Sequence, residues 1–141
     1  MAAMSWEPAI SFTNDLAELE RLSRVIDEFA ARHGLRPNVV FDLQLAASEI
    51  FTNVVLHGFA DDRRHEIVVR LVADTDEVAV EIEDDGRPFD PSTVPTPQLD
   101  LPLEERPLGG LGVHLARRVT DAMEYRRQEE RNIMRMRKKL T

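Results

Sequence analysis

Between Val39 and Val54, the apolar residues Val39, Val40, Leu43, Ala46, Ala47, Ile50 and Val54 recur at the three- and four-residue spacing of one helix face. Within the same stretch and just beyond it, Glu49, Asn53 and His57 stand four residues apart, in successive turns and mostly on another side. No other feature constrains the chain as strongly. The greasy face needs a second layer to bury it, while the Glu/Asn/His stripe stays open to solvent or to a ligand. Pro37-Asn38 opens this helix and Gly58 lies near its end. Glu49 offers a base, and Asn53 offers a carbonyl oxygen suited to a hard cation such as Mg²⁺. His57 can donate to a phosphate. Taken alone, the stripe also reads as the solvated face of an amphipathic helix.

The flanking segments supply the second layer. Ala9 to Phe12 reads as a short strand. Asn14 or Asp15 is an N-cap, with Glu18 completing a capping pattern. Leu16, Leu19, Leu22, Val25, Ile26 and Phe29 then repeat with helical spacing up to His33-Gly34. Ile67 to Val72 and Glu77 to Ile82 read as strands joined by an Asp74-Thr75-Asp76 turn. Ser92 to Leu108 holds Pro95, Pro97, Pro102 and Pro107 and shows no period, which marks a long functional loop. A third helix from about Gly110 to Thr120 precedes two strands, Ala122 to Arg127 and Asn132 to Lys138. The order βααββ, loop, αββ predicts an α+β two-layer sandwich, with a mixed, mostly antiparallel sheet carrying its helices on one face.

Composition narrows the function classes. The 141 residues suit one domain spanning 1–141. A net charge of -8 argues against a nucleic-acid surface. Cysteine is absent, so disulfides and thiolate metal sites are excluded. Met1 to Phe12 lacks the features of a signal peptide, and no stretch reads as the roughly 18 apolar residues of a membrane span. The expected setting is the cytoplasm. His33 and His65 read as surface or capping residues, His114 as a packing residue and Trp6 as a packing anchor. The basic positions from Arg126 to Lys139 read as alternating solvated strand residues.

Two further segments carry chemistry. Asp84-Asp85-Gly86-Arg87-Pro88-Phe89-Asp90-Pro91 directly follows a strand. A carboxylate there can accept from a purine amino group, and Gly86 lets the chain pass close to a flat ring. An acidic turn is the simpler reading. Gly109-Gly110-Leu111-Gly112 opens a helix, where backbone N–H groups and the helix dipole favour a phosphate. It is neither a Walker A loop nor a dinucleotide fingerprint. Each signal is weak alone, but their order is hard to obtain by chance.

That order resembles the GHKL (Bergerat) ATP-binding fold shared by histidine kinases, type II topoisomerases, Hsp90 and MutL. Glu49 to Gly58 matches its N box, Asp84 to Gly86 its first glycine box, and Gly110 to Gly112 its second. Within that superfamily the chain most resembles the anti-sigma-factor serine-protein kinases of partner-switching systems. The resemblance implies that Asp84 binds the adenine amino group of ATP and that Asn53 holds Mg²⁺ against the phosphates. It implies Glu49 as general base, Gly86, Gly110 and Gly112 as nucleotide-bordering glycines, and His57 near the phosphates. Ser92 to Leu108 becomes an ATP lid, and Asn132 a candidate second contact to adenine. Pro88 stands where the first box usually has another glycine, and Arg106 lies two residues before the place of a γ-phosphate arginine.

The resemblance further implies a STAS-domain anti-anti-sigma protein as phosphate acceptor, a sigma factor as second partner, and a homodimer. A nucleotide-dependent binding module that transfers nothing is the competing reading. The catalytic half of a sensor histidine kinase is a third, but the N-terminal helix is short and carries only His33, at its end.

Overall fold

The computed structural model describes residues 5–90, 93 and 110–140. Two short strands, β1 (Ser5–Trp6) and β2 (Ile10–Thr13), lead through a tight 3-10 turn at Leu16–Glu18 into helices α1 (Leu19–His33) and α2 (Pro37–His57). Strands β3 (Glu66–Ala73) and β4 (Glu77–Asp84) follow. After the undescribed stretch come α3 (Gly110–Val119), β5 (Ala122–Gln128) and β6 (Arg131–Lys139). The predicted order holds, with one further strand at the start. Apart from Thr93, the expected lid Ser92 to Leu108 lies outside the described residues, as does Gly109.

Local chemistry sets the boundaries. The cap falls to Asp15, whose carboxylate accepts from the Ala17 N–H at 2.9 Å. Glu18 reaches back to the Thr13 N–H at 3.0 Å and also holds Arg21. The first turn is therefore 3-10, and the α-helix begins at Leu19 rather than Leu16. Asp74 closes the β3–β4 turn by accepting from the N–H groups of Asp76 and Glu77.

The strands run β1-β3-β4-β6-β5, with β2 pairing the same edge of β3 as β1, and every described ladder is antiparallel. Hairpins join β3 to β4 and β5 to β6, and the crossover after β4 returns β6 in the opposite sense. Ile67, Val69, Leu71, Val78, Val80, Ile82, Met134 and Met136 point from the sheet into one core with Leu22, Ile26 and Phe29 of α1 and Leu43, Ala46, Ala47, Ile50 and Phe51 of α2. Phe12 meets Phe51 edge to face at 5.7 Å.

The opposite sheet face carries charge. Glu83 pairs with Arg131 at 2.6 Å and with Arg70 at 3.0 Å, and Arg137 pairs with Glu124 at 2.8 Å. Burial alone would raise the Glu83 carboxyl, but hydrogen bonds from Arg131 and Arg70 outweigh it and hold it below the ordinary range. Trp6 is 40% exposed and lies beside the Arg135 guanidinium, 5.1 Å from its ring centroid, instead of anchoring the core.

No stretch reads as a span in the sequence; α2, with 21 residues and an 18-residue window of mean hydropathy 1.5, is long and apolar enough to cross a membrane by length and composition only. Its hydropathy has another use here, because α2 packs against α1, α3, β4 and β6 and buries Leu43, Ala46, Ala47, Ile50 and Phe51. A central helix contacts protein on several sides, so it is apolar around more of its circumference than a surface helix.

The β5–β6 turn is strained. Gln128 pairs with Arg131, leaving Glu129 and Glu130 as a two-residue turn with φ of 51° and 64°. Both values are left-handed, which Asn-Gly adopts more readily than two glutamates. Replacing Glu129-Glu130 by Asn-Gly is expected to stabilise the fold by about 1–2 kcal/mol. Urea unfolding checks this, with a higher midpoint at unchanged slope.

Candidate functional site

At one end, the core face of the sheet changes from apolar to polar. The register places Ile67, Asp84, Asn132 and Arg127 in one row across β3, β4, β6 and β5. The row behind it is Val69, Ile82, Met134 and Tyr125. The C-terminal turns of α2 bring Asn53 and His57 to this end. Together they line an open cleft with apolar walls from Ile50, Val54, Ile82 and Met134. Phe89 and Arg87 stand at the same cleft. Asn53 is buried and His57 is exposed.

Asp84 is 4% exposed. Its Oδ1 accepts from the Gly86 N–H at 2.8 Å and from Asn132 Nδ2 at 3.0 Å. Burial pushes the carboxyl above the ordinary aspartate range, and the two hydrogen bonds offset this only in part. A buried acceptor in an apolar cleft suits a flat heteroaromatic ring that carries an exocyclic amine.

The turn after Asp84 is stitched to the end of α2. The Arg87 N–H donates to the Gly58 carbonyl at 2.8 Å, and Arg87 Nη2 donates to the His57 carbonyl at 2.7 Å. A guanidinium at a helix C-terminus satisfies free carbonyls and complements the dipole. The approach is close enough that a Cβ on Gly86 would strike the Gly58 carbonyl oxygen and stand 2.8 Å from Asp84 Oδ1. Behind the turn, His65 stacks on Phe59 and bonds Asp61 at 2.7 Å and Asp85 at 3.2 Å. The Asp61 contact leads in raising its imidazole above the ordinary range.

Glu49 lies one turn before Asn53 and does not line the cleft. Its carboxylate rests on the first turn of α3, where a Cβ on Gly112 would collide with Glu49 Oε2. Gly110 is the first residue of that helix. The predicted residues thus fall into two adjoining groups. Asn53, His57 and Asp84 share the cleft with Gly86 behind it, while Glu49 and Gly112 touch where α3 begins. Among the described residues, no three His, Asp or Glu side chains converge as a metal site. A cation beside Asn53 would draw its other ligands from phosphate and water, as Mg²⁺ commonly does.

Sequence reasoning missed Tyr125, Arg127 and Arg87. Alternation along β5 puts Tyr125 and Arg127 on one face. Their meeting with Asn132 depends on strand register, which no local signal carries.

The family described as histidine kinase-like ATPase domain matches residues 12–138. The serine/threonine-protein kinase BtrW of Bordetella bronchiseptica is 30% identical over 104 residues, covering 74% of this chain and 73% of that protein. The serine-protein kinase RsbW of Listeria monocytogenes is 31% identical over 111 residues, covering 76% and 69%. Among solved structures, the RsbU and RsbW domains of a Mycobacterium tuberculosis protein superpose with a TM-score of 0.63 at 16% identity. That match covers 95% of this chain and 33% of the other, and it is a likeness of fold.

Proposed function

Because the chain belongs to the histidine kinase-like ATPase domain family, we propose that it is an ATP-dependent serine/threonine protein kinase acting on a serine of a STAS-type anti-anti-sigma protein. The observation that carries this reading is the pair of adjoining groups on α2. One holds an apolar-walled cleft with a buried acceptor, and the other sets a carboxylate at a helix start. Kinase names borne by relatives at 30–31% identity support it.

In this reading Asp84 accepts from the adenine amine, while Ile50, Ile82 and Met134 pack on the ring. Asn53 and His57 face the triphosphate, with Gly110 and Gly112 beside it at the start of α3. Asn53 is the protein ligand of Mg²⁺, and that cation supplies charge neutralisation on the phosphates when ATP is bound. Glu49 takes the proton from the serine hydroxyl. The serine Oγ forms a bond to the γ-phosphorus as the bond to the β,γ-bridging oxygen breaks, giving phosphoserine and ADP. Positioning and electrostatics carry most of such a transfer.

The cellular role that follows is partner switching in the cytoplasm. The kinase sequesters a sigma factor when its STAS partner is phosphorylated, regulates transcription, and works as a homodimer. The test uses γ-labelled ATP, Mg²⁺ and candidate STAS proteins of the source organism. Label on a serine of one of them is the expected result. Tight nucleotide-dependent association with no label on any partner would replace the kinase by a binding module.

A further inference from the structure

Asn132 stands 48 residues from Asp84 in sequence and beside it in the sheet. Every hydrogen-bonding site on its side chain is occupied. One Nδ2 N–H goes to Asp84 Oδ1 at 3.0 Å and the other to the Arg87 carbonyl at 2.8 Å. Its Oδ1 accepts from the Tyr125 hydroxyl at 2.6 Å and from Arg127 Nη1 at 3.0 Å. An amide has two donors and two acceptor lone pairs, so none remains for a ligand. Arginine can only donate, so Arg127 fixes the orientation: carbonyl toward β5, amide nitrogen toward Asp84. The same Arg127 nitrogen holds the Gly86 carbonyl at 2.8 Å. Asn132 is itself buried.

We infer that Asn132, Tyr125 and Arg127 are positioning residues for purine recognition, holding Asp84 so that one carboxylate oxygen faces the purine amine, and that Asn132, although it lines the cleft with Tyr125, makes no hydrogen bond to the base. This rests on the reading of Asp84 as the acceptor for the 6-amino group. Both acceptor sites of Asp84 Oδ1 are taken by Gly86 and Asn132. Oδ2 is thus the oxygen for the ligand, and its direction is set by the Oδ1 clamp. Without Asn132, a buried carboxylate would rotate toward other donors or solvent, and the match to the amine would weaken. The hydroxyl of Tyr125 and the guanidinium of Arg127 act one bond further out.

The experiment compares affinities for ATP and for its 6-desamino analogue, purine ribonucleoside triphosphate, by titration calorimetry with Mg²⁺ present. The readout is the ratio of the two dissociation constants, which a general loosening of the site would leave unchanged. The wild-type protein is expected to favour ATP by about tenfold or more. Asn132→Ala is expected to lower that preference by about tenfold, and Tyr125→Phe and Arg127→Met by roughly threefold each. Wild-type preference retained in all the variants, with both affinities lowered equally or not at all, overturns the inference. If Asn132→Ala does not fold, Tyr125→Phe decides, since it removes one oxygen and keeps the ring. A wild-type protein that binds both nucleotides equally would instead remove Asp84 as the purine acceptor, a failure visible before any variant is made.

Discussion

Replacing Glu49 by alanine is expected to slow phosphoryl transfer to the proposed partner serine by about 10²–10⁴-fold, the range of a positioned general base. Affinity for ATP is expected to change little, because Glu49 lies outside the Asp84 cleft and packs against the first turn of α3. The packing adds a second way to displace the base. A methyl group at position 112 occupies the place of Glu49 Oε2, so Gly112→Ala forces the carboxylate away. Transfer falls in this variant too, and the double variant is no slower than Glu49→Ala alone, since both remove one function. Single-turnover transfer rates at saturating ATP provide the measurement. Full turnover in Glu49→Ala would take the residue out of catalysis.

Asp84→Asn separates binding from folding. Asparagine can keep the Gly86 and Asn132 bonds through its carbonyl, which turns its amide N–H toward the purine amine and places donor against donor. A lost charge-assisted hydrogen bond predicts an ATP affinity weaker by about 10–150-fold. Stability moves the other way. The folded-state pKa of Asp84 is raised by burial, so its stabilising contribution is present below the unfolded pKa and is lost as pH rises through the folded value. At neutral pH the ionised side chain is a cost that asparagine does not carry. The variant therefore melts at the wild-type temperature or above it, while the nucleotide is lost. In the wild type, ATP affinity is expected to fall with acidification at a higher pH than an ordinary aspartate would give, because the neutral acid would no longer offer a carboxylate to the amine. Calorimetry across acidic buffers, alongside thermal melts of both proteins, measures both effects. Unchanged ATP affinity in Asp84→Asn would overturn the purine assignment.

Much of the fold was legible because its signals are local. The dual stripe of α2 needs only 3.6-residue periodicity, and the turn at Asp74 needs only its carboxylate. The cap at Asp15 and the stop at Gly34 belong to the same class. Trp6 reads as an anchor because large aromatics are usually covered, but it lies beside the Arg135 guanidinium on the charged face. The face a side chain meets is settled by elements distant in sequence.

The site divides along the same line. Sequence by itself determined which segments could bear chemistry: the Glu49, Asn53 and His57 spacing, the Asp84 turn and the glycine-rich start of α3. These are properties of a few consecutive residues, and backbone geometry projects them onto a helix face, a strand end or a helix start. Only the tertiary structure decided that Glu49 meets Gly112 rather than the cleft, and that Ile67, Asp84, Asn132 and Arg127 share one row. Such contacts follow from strand register and helix packing. A shift of one residue in register would turn Asn132 away from Asp84 onto the opposite face, with its local sequence unaltered.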